Sequence, residues 1–390
     1  MSRNGKVIVA MSGGVDSSVA AGLLKAQGFE CVGVFMRVGA TPEDEPGACP
    51  SPADAPIPGA TLAPAAATAP ARRLRHGCCS ATDALDARSV ADRLGIPFYA
   101  LNFRKDFERI IDYFVDEYAR ARTPNPCVRC NIELKFGKLL RYADAMGAEF
   151  VATGHYARVL HPAGGPPRLA RSANLAKDQS YVLFGVRRED IGRCLFPLGE
   201  IADKAEVRRL AAELGLRVHD KPDSQEICFV PGNDYRALLD RRRPGLRRPG
   251  ELRDAAGSTL GRHEGVPSYT IGQRRGLGVA LGTPAYVTRL DVLNNTVTLG
   301  PYTELLASQL IADNVNWLVD PPAIDREVVA DIRIRHMHAP APGRIRRLAD
   351  DRVRAEFATA QAAVTPGQAA VFYDEEGVVL GGGWIGPSTD

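Results

Sequence analysis

Lys6-Val-Ile-Val-Ala-Met-Ser-Gly-Gly-Val-Asp-Ser17 is the stretch that decides how this chain folds. Lys6–Ala10 is β-branched and apolar, the pattern of a buried strand. Ser12-Gly-Gly14 interrupts it, because consecutive glycines favour a turn. From Ser17 to Gln27 apolar residues return at helical spacing until Gly28 stops them, and Cys31–Met36 is again a short apolar run. Strand, loop, helix and strand in that order make a parallel β-α-β unit whose sheet is covered on both faces. The fold class that follows is α/β, with a doubly wound parallel sheet.

The alternation continues outward. Helices are expected over 81–94, 105–120 and 131–146, and strands over 98–103 and 149–153, giving a first domain over 1–222. Within it, residues 39–77 dissolve into Ala, Pro, Gly and Thr and close on the basic Ala71-Arg-Arg-Leu-Arg-His76, the texture of a flexible surface insertion. From Asp223 onward glycine and proline become frequent and Arg241-Arg-Arg-Pro-Gly-Leu-Arg-Arg248 forms a dense positive run, so a small connector domain is placed over 223–304. In 305–390, Val328–Arg335, Arg352–Ala358, Ala369–Tyr373 and Val378–Gly382 read as short strands between turn signals. A small β-barrel fits them.

The 390 residues are 45% hydrophobic and 24% charged, which excludes a wholly disordered chain. Apolar runs such as Val7–Met11 are far shorter than the roughly 20 residues of a membrane helix, and the expected location is cytoplasmic. In that compartment the 8 cysteines read as thiols for catalysis, redox or metal binding rather than as a disulfide framework. A net charge of +3 excludes a protein basic throughout but leaves room for a local nucleic-acid surface.

The glycine loop carries the sharpest chemistry. Gly13 and Gly14 let backbone N–H groups approach phosphate oxygens, the Ser12 and Ser17 hydroxyls add donors, and the helix N-terminus contributes partial positive charge. Asp16 could orient the loop or help hold Mg2+. The loop is neither a Walker A sequence nor GxGxxG. The plain alternative is a tight glycine turn with a capping serine. Ser12–Ser17 resembles the pyrophosphate loop (PP-loop) of the ATP pyrophosphatases, which split ATP to AMP and pyrophosphate while adenylating an oxygen. Argininosuccinate, asparagine, NAD and GMP synthetases share that loop, as do several tRNA-modifying enzymes.

The second constellation is Thr123-Pro-Asn-Pro-Cys-Val-Arg-Cys-Asn131. Its two prolines favour an extended approach, and Cys127 then lies near the start of a helix that Cys130 enters, where the helix dipole and Arg129 favour thiolates. Three uses of the pair stay open: reactive thiols, a zinc site completed by His76, Cys78 and Cys79, or an iron-sulfur cluster on Cys127, Cys130 and a third cysteine such as Cys228. The third constellation is Asp223-Ser-Gln-Glu-Ile-Cys-Phe229, whose Cys228, alone between Ile and Phe, by itself reads first as a packed core residue.

Together, and in this order, the three constellations resemble the tRNA-specific 2-thiouridylases, which replace the C2 oxygen of the wobble uridine with sulfur. Thr153-Gly-His-Tyr156, Ala176-Lys-Asp-Gln-Ser-Tyr181, Tyr269-Thr-Ile-Gly-Gln-Arg-Arg-Gly276 and Thr365-Pro-Gly-Gln-Ala-Ala-Val-Phe-Tyr373 extend the resemblance over nearly the whole chain. It implies an ATP site lined by Ala10, Met11, Ser12, Gly13, Gly14, Val15, Asp16, Ser17 and Met36, with Gly154 on the nucleotide. It implies Cys130 as nucleophile and Cys228 as persulfide carrier, joined in a disulfide once sulfur has left. Asn125, Pro126 and Cys127 fall where the family meets the target base, and His155, Lys177, Asp178, Gln179, Arg333, Arg335 and Gln368 where it meets tRNA. Phosphate contacts are expected from Arg241–Arg248, Lys135, Lys177, Arg333 and Arg335, although a charge run such as the first also reads as a solvated loop.

The resemblance further implies adenylation of the C2 oxygen of uridine 34 with ATP and Mg2+, lysine, glutamate and glutamine tRNAs as partners, and a persulfide donor such as a cysteine desulfurase or a relay protein. Two departures stand out. Many members carry Asp where this chain has Cys127, so no carboxylate acid–base role transfers there. The stretch from Gly39 to His76 is longer than the family needs. Competing expectations are a tRNA cytidine thiolase, an amide-forming ligase, or an RNA-binding protein that uses ATP only as a ligand.

Overall fold

The computed structural model describes residues 4–39, 81–222, 227–280 and 282–387. The insertion expected at 39–77, apart from Gly39, lies outside these residues, as do Cys78 and Cys79. The first body runs β1 (Lys6–Ala10), α1 (Val15–Ala26), β2 (Glu30–Arg37), α2 (Ala81–Leu94), β3 (Phe98–Asn102), α3 (Arg104–Ala119), α4 (Pro126–Cys130), a π-helical segment (Asn131–Lys138), α5 (Leu139–Ala145), β4 (Phe150–Ala152), β5 (Ala157–Leu160), β6 (Arg168–Arg171), β7 (Cys194–Leu195) and α6 (Lys204–Glu213). Its main sheet has the order β3-β2-β1-β4-β7 with every neighbouring pair parallel.

The continuous apolar run of β1 has a direct cause. Side chains alternate across a strand, and Ile8 packs into a core with Phe136, Leu139 and Val151, while Val7 and Val9 pack into another with Val19, Leu24 and Ala91. Both faces are buried, so no position along the strand can be polar.

The helix expected over 131–146 begins five residues earlier, at Pro126. Asn125 caps it by accepting the Val128 N–H at 3.3 Å, and Pro126 occupies the first helical position, where a missing N–H costs nothing. The second proline, expected to extend the chain, therefore starts a helix. That helix passes into the π-helical Asn131–Lys138 before α5.

Next come α7 (Tyr235–Arg242) and β8 (Gly250–Asp254), β9 (Thr259–His263), β10 (Tyr286–Asp291) and β11 (Thr296–Gly300), in a sheet of order β10-β11-β8-β9. The residues just ahead of this sheet pack back on α3: Phe229 sets its ring edge-on to Phe107 and Phe114, and Tyr235 stacks on Tyr118 at 4.7 Å. The Arg241–Arg248 run stays on the surface, with Arg241, Arg242, Arg243 and Arg248 exposed, but three of its arginines are also paired with acids. Arg242 pairs with Glu108 at 2.5 Å, Arg243 pairs with Asp116, and Arg247 pairs with Asp240 at 2.7 Å. Two of these acids lie on α3, so the run fastens the connector to the first body.

The chain closes with β12 (Leu306–Trp317), β13 (Glu327–Arg333), β14 (Ala341–Arg347), β15 (Val353–Ala362), β16 (Ala369–Tyr373) and β17 (Val379–Ile385), an antiparallel barrel of order β12-β15-β14-β13-β16-β17 that closes through β12 and β17. The expected barrel holds, but β12 and β14 were not legible as strands. Register breaks interrupt the alternation of β12, and β14 contains Pro342 and Gly343 among arginines. Among the described residues, no helix is long and apolar enough to cross a membrane.

Candidate active site

The glycine loop leaves the C-terminal end of β1, where β2 lies on one side and β4 on the other. This is the topological switch point of the sheet, where open α/β folds place their ligands. Gly13 holds φ at +73°, and a Cβ there would stand 2.3 Å from the Asp83 carbonyl oxygen, so only glycine fits. The Ser12 N–H donates to Ser17 Oγ at 3.1 Å, Ser17 Oγ donates to the Gly14 carbonyl at 3.2 Å, and Ser18 Oγ donates to the same carbonyl at 2.8 Å. Ala10, Met11 and Val15 turn into the core and anchor the loop from behind. Gly154 abuts it: a Cβ there would stand 2.6 Å from Ser17 N and 2.7 Å from the Asp16 carbonyl carbon.

Three residues around the loop escaped the sequence reasoning as site residues. Tyr156 donates its hydroxyl to Asp16 Oδ1 at 2.8 Å, and Lys204 donates to the same oxygen at 2.5 Å. Lys221 donates to the Gly13 carbonyl at 3.0 Å, to Asp83 Oδ1 at 2.6 Å and to Asp86 Oδ2 at 2.7 Å. Burial alone would lower the pKa of Lys221, but its hydrogen bonds to the two carboxylates outweigh that and raise it. Gln179, expected at tRNA, braces Tyr156: its Oε1 accepts the Tyr156 N–H at 3.0 Å and its own backbone N–H donates to the Tyr156 carbonyl at 2.8 Å.

The cysteines separate by environment. Cys31 is buried, and burial pushes its thiol up to about 11, with the Lys25 ammonium opposing. Cys194 is buried too, donates to the Asp190 carbonyl at 3.2 Å and is pushed up by the same cause. Both are core residues. Cys127 is exposed, while Cys130 and Cys228 are half-buried against one apolar cluster that contains Phe103, Phe107, Phe114 and Leu134 and that Met36 also joins. Among the described residues, no three or more His, Cys, Asp or Glu side chains gather as metal ligands. The Cys127, Cys130 and Cys228 metal or cluster site is thus not assembled, because two of these residues pack into the cluster and the third faces outward. The zinc alternative through His76, Cys78 and Cys79 lies outside the described residues.

Four residues expected at the tRNA surface serve internal contacts. His155 is buried between Phe136 and Phe196 with Nδ1 at 2.6 Å from Thr153 Oγ1; burial, aided by the Lys135 charge, holds its pKa well below the ordinary value. Asp178 and Arg333 form a buried ion pair at 2.6 Å, in which Asp178 also accepts the N–H groups of Ser172 and Ser180. Gln368 Nε2 donates to the carbonyls of Thr123 and Pro124 at 3.1 and 3.2 Å. The buried charges of Asp178 and Arg333 need partners inside the protein, and each finds one in the other, while Gln368 is half-buried. Arg335 is exposed and Lys177 half-exposed.

Family models describe this layout from end to end. A tRNA methyl transferase HUP domain matches residues 5–63 and 55–232, a tRNA methyl transferase PRC-barrel domain matches 238–301, and an aminomethyltransferase beta-barrel domain matches 307–385. The tRNA-specific 2-thiouridylase MnmA of Rhodopirellula baltica is 47% identical over 393 residues, covering 99% of this chain and 97% of that protein. The chain belongs to the tRNA-specific 2-thiouridylase family. The MnmA protein of Geobacter metallireducens is 46% identical over 382 residues, covering 97% of this chain and 96% of its own. Membership makes the chain an enzyme, a sulfurtransferase built on an ATP-using PP-loop fold. A solved 4-thiouridine synthetase–RNA complex with bound ATP aligns with 62% of this chain and 51% of its own, at 16% identity and a TM-score of 0.35. Within this 2-thiouridylase, Tyr156 was readable from its motif, whereas Lys204 and Lys221 sit among ordinary helix and loop lysines whose partners are more than a hundred residues away.

Proposed function

We propose that this 2-thiouridylase converts the uridine at position 34 of lysine, glutamate and glutamine tRNAs to 2-thiouridine, consuming ATP and a persulfide and releasing AMP and pyrophosphate. The observation that carries the proposal is the convergence of Cys130, Cys228 and Met36 on one cluster at the edge of the strand that borders the glycine loop. Unlike the buried Cys31 and Cys194, these two cysteines, distant in sequence, are only half-buried where they meet. A sulfur-transfer reaction needs them there.

Uracil C2 is a poor electrophile because its carbonyl is amide-like and its oxygen a poor leaving group. Ser12–Ser17, with Met36 and Gly154, would hold ATP so that the C2 oxygen attacks the α-phosphate, expels pyrophosphate and leaves as AMP in the next step. Mg2+ would neutralise phosphate charge, and the Asp16 carboxylate is an oxygen donor of the type that ion takes. A persulfide on Cys228 then supplies sulfur to C2. Attack of the Cys130 thiolate on the Cys228 sulfur breaks the sulfur–sulfur bond, frees the terminal sulfur for C2 and leaves a Cys130–Cys228 disulfide. The disulfide must be reduced, and a new persulfide loaded from a donor, before another turnover. A wobble base lies in a single-stranded loop, so presenting it to Asn125, Pro126 and Cys127 costs little.

Incubation with unmodified tRNA, ATP, Mg2+ and a persulfide donor, followed by nucleoside mass spectrometry, tests the proposal. Formation of 2-thiouridine that falls about a thousandfold in either Cys130→Ser or Cys228→Ser, with the double variant no worse, is the expected result. Full activity in either single variant contradicts it.

A further inference from the structure

We infer that the C-terminal barrel positions the catalytic-cysteine helix, with Trp384 and Gln368 as positioning residues acting through Arg129 and the Thr123–Pro124 backbone. The inference rests on the proposed role of Cys130. Helix α4 is the five-residue first segment of a helical stretch that runs on through the π-helical Asn131–Lys138 into α5, so an irregular junction separates it from the regular helix behind it. A π-helical segment follows it directly, so its C-terminal side is not continued by regular α-helix.

The barrel supplies contacts at both ends. Ahead of the helix, Gln368 Nε2 donates to the Thr123 and Pro124 carbonyls at 3.1 and 3.2 Å, and the Thr123 N–H donates to the Pro366 carbonyl at 2.9 Å. Gly367, at φ +89°, allows this approach, since a Cβ there would stand 2.9 Å from the Thr123 carbonyl oxygen. At the other end, the Arg129 guanidinium lies 4.8 Å from the ring centroid of Trp384 in β17 and 4.8 Å from that of Tyr113 in α3. Arg129 immediately precedes Cys130, so whatever fixes the guanidinium between two rings restricts the thiol beside it.

The barrel is itself fixed to the first body. The buried Arg333–Asp178 pair joins them, Tyr181 donates its hydroxyl to the Ala369 carbonyl at 3.0 Å, and Asn316 Nδ2 donates to the Phe184 and Val186 carbonyls at 2.7 and 2.9 Å. These contacts make the barrel a rigid wall against which α4 is set. Gln368 and the Thr365–Tyr373 motif thereby have an occupation inside the protein.

The test compares full-length wild type, Trp384→Ala, Trp384→Phe and Gln368→Leu in three assays: single-turnover 2-thiouridine formation at saturating tRNA and ATP, tRNA affinity by filter binding, and the pH profile of Cys130 alkylation by iodoacetamide read by peptide mass spectrometry. Trp384→Ala is expected to slow single turnover by about 10- to 100-fold, the scale of a small misplacement of a reacting group, and to change the alkylation rate several-fold. Its tRNA affinity and ATP KM should stay within about twofold, and Trp384→Phe should recover most of the rate. Wild-type turnover and alkylation in Trp384→Ala overturn the inference, as does a defect confined to tRNA affinity. If Trp384→Ala fails to fold, Gln368→Leu decides by turnover at saturating tRNA and by Cys130 alkylation alone, since the family resemblance also puts Gln368 at tRNA: a loss in both supports the inference and wild-type values in both overturn it. Absence of 2-thiouridine in wild type would refute the proposed function, while Cys130 alkylation still reports on the positioning.

Discussion

The glycine loop after β1 and the seam between the first body and the barrel are both rich in polar groups, yet they are assembled on different scales. The loop's serine hydrogen bonds span three to five residues. The seam's bonds, Asp178 to Arg333, Tyr181 to Ala369 and Gln368 to Thr123, join residues 155, 188 and 245 apart. The serines give the loop a local scaffold, to which Tyr156, Lys204 and Lys221 add bonds from 140, 188 and 208 residues away. A seam of buried, long-range polar contacts stands or falls with the tertiary structure. Damage to the first should appear in nucleotide binding and damage to the second in stability.

Removing half of the buried pair tests this division most severely. Asp178→Ala strands the Arg333 guanidinium in the interior and should lower unfolding free energy by about 3–5 kcal/mol in urea titration. A change below about 1 kcal/mol would mean the pair is not sealed from water. Gly13→Ala probes the other side. A side chain at φ +73° facing the Asp83 carbonyl imposes about 1–3 kcal/mol of strain, so the loss of urea resistance should stay within that range and below the loss in Asp178→Ala, while the ATP KM should rise about 10- to 100-fold. If stability falls as far as in Asp178→Ala, the loop is not independent of the fold.

The smallest effect concerns His155. Its folded-state pKa lies well below that of the unfolded chain, so the unfolded state binds the proton first as pH falls. Stability from this group is complete above about pH 6.5 and declines below it by at most about 1.4 kcal/mol per pH unit. His155→Gln, which can keep a bond to Thr153, should flatten the slope without abolishing it, since His263 and His336 are shifted in the same direction by burial. An unchanged slope would mean that His155 titrates as an exposed imidazole.

The same division of scale explains what was legible in the sequence. β1, the loop and α1 could be read directly because period, glycines and cap lie within twenty residues and both faces of β1 are buried. The start of α4 was misplaced because Pro126 breaks helices in general yet suits a first position, and only the Asn125 cap distinguishes the two cases. The barrel was legible as a class, although bulges erased the alternation of β12 and Pro342 and Gly343 masked β14. The internal contacts of His155, Asp178, Arg333 and Gln368 were not legible, because polar residues in shared motifs look alike whether or not they also meet a distant part of their own chain. Lys204 and Lys221 are the converse, site residues whose carboxylate partners no local pattern reveals.

The proposed reaction requires that ATP activate the base oxygen itself. A tRNA transcript carrying oxygen-18 at uracil O2, thiolated in one turnover with ATP and a persulfide donor, tests it directly by mass spectrometry of the AMP. One oxygen-18 atom per AMP, matching the 2-thiouridine formed, is the predicted result; 2-thiouridine formed with unlabelled AMP would contradict it.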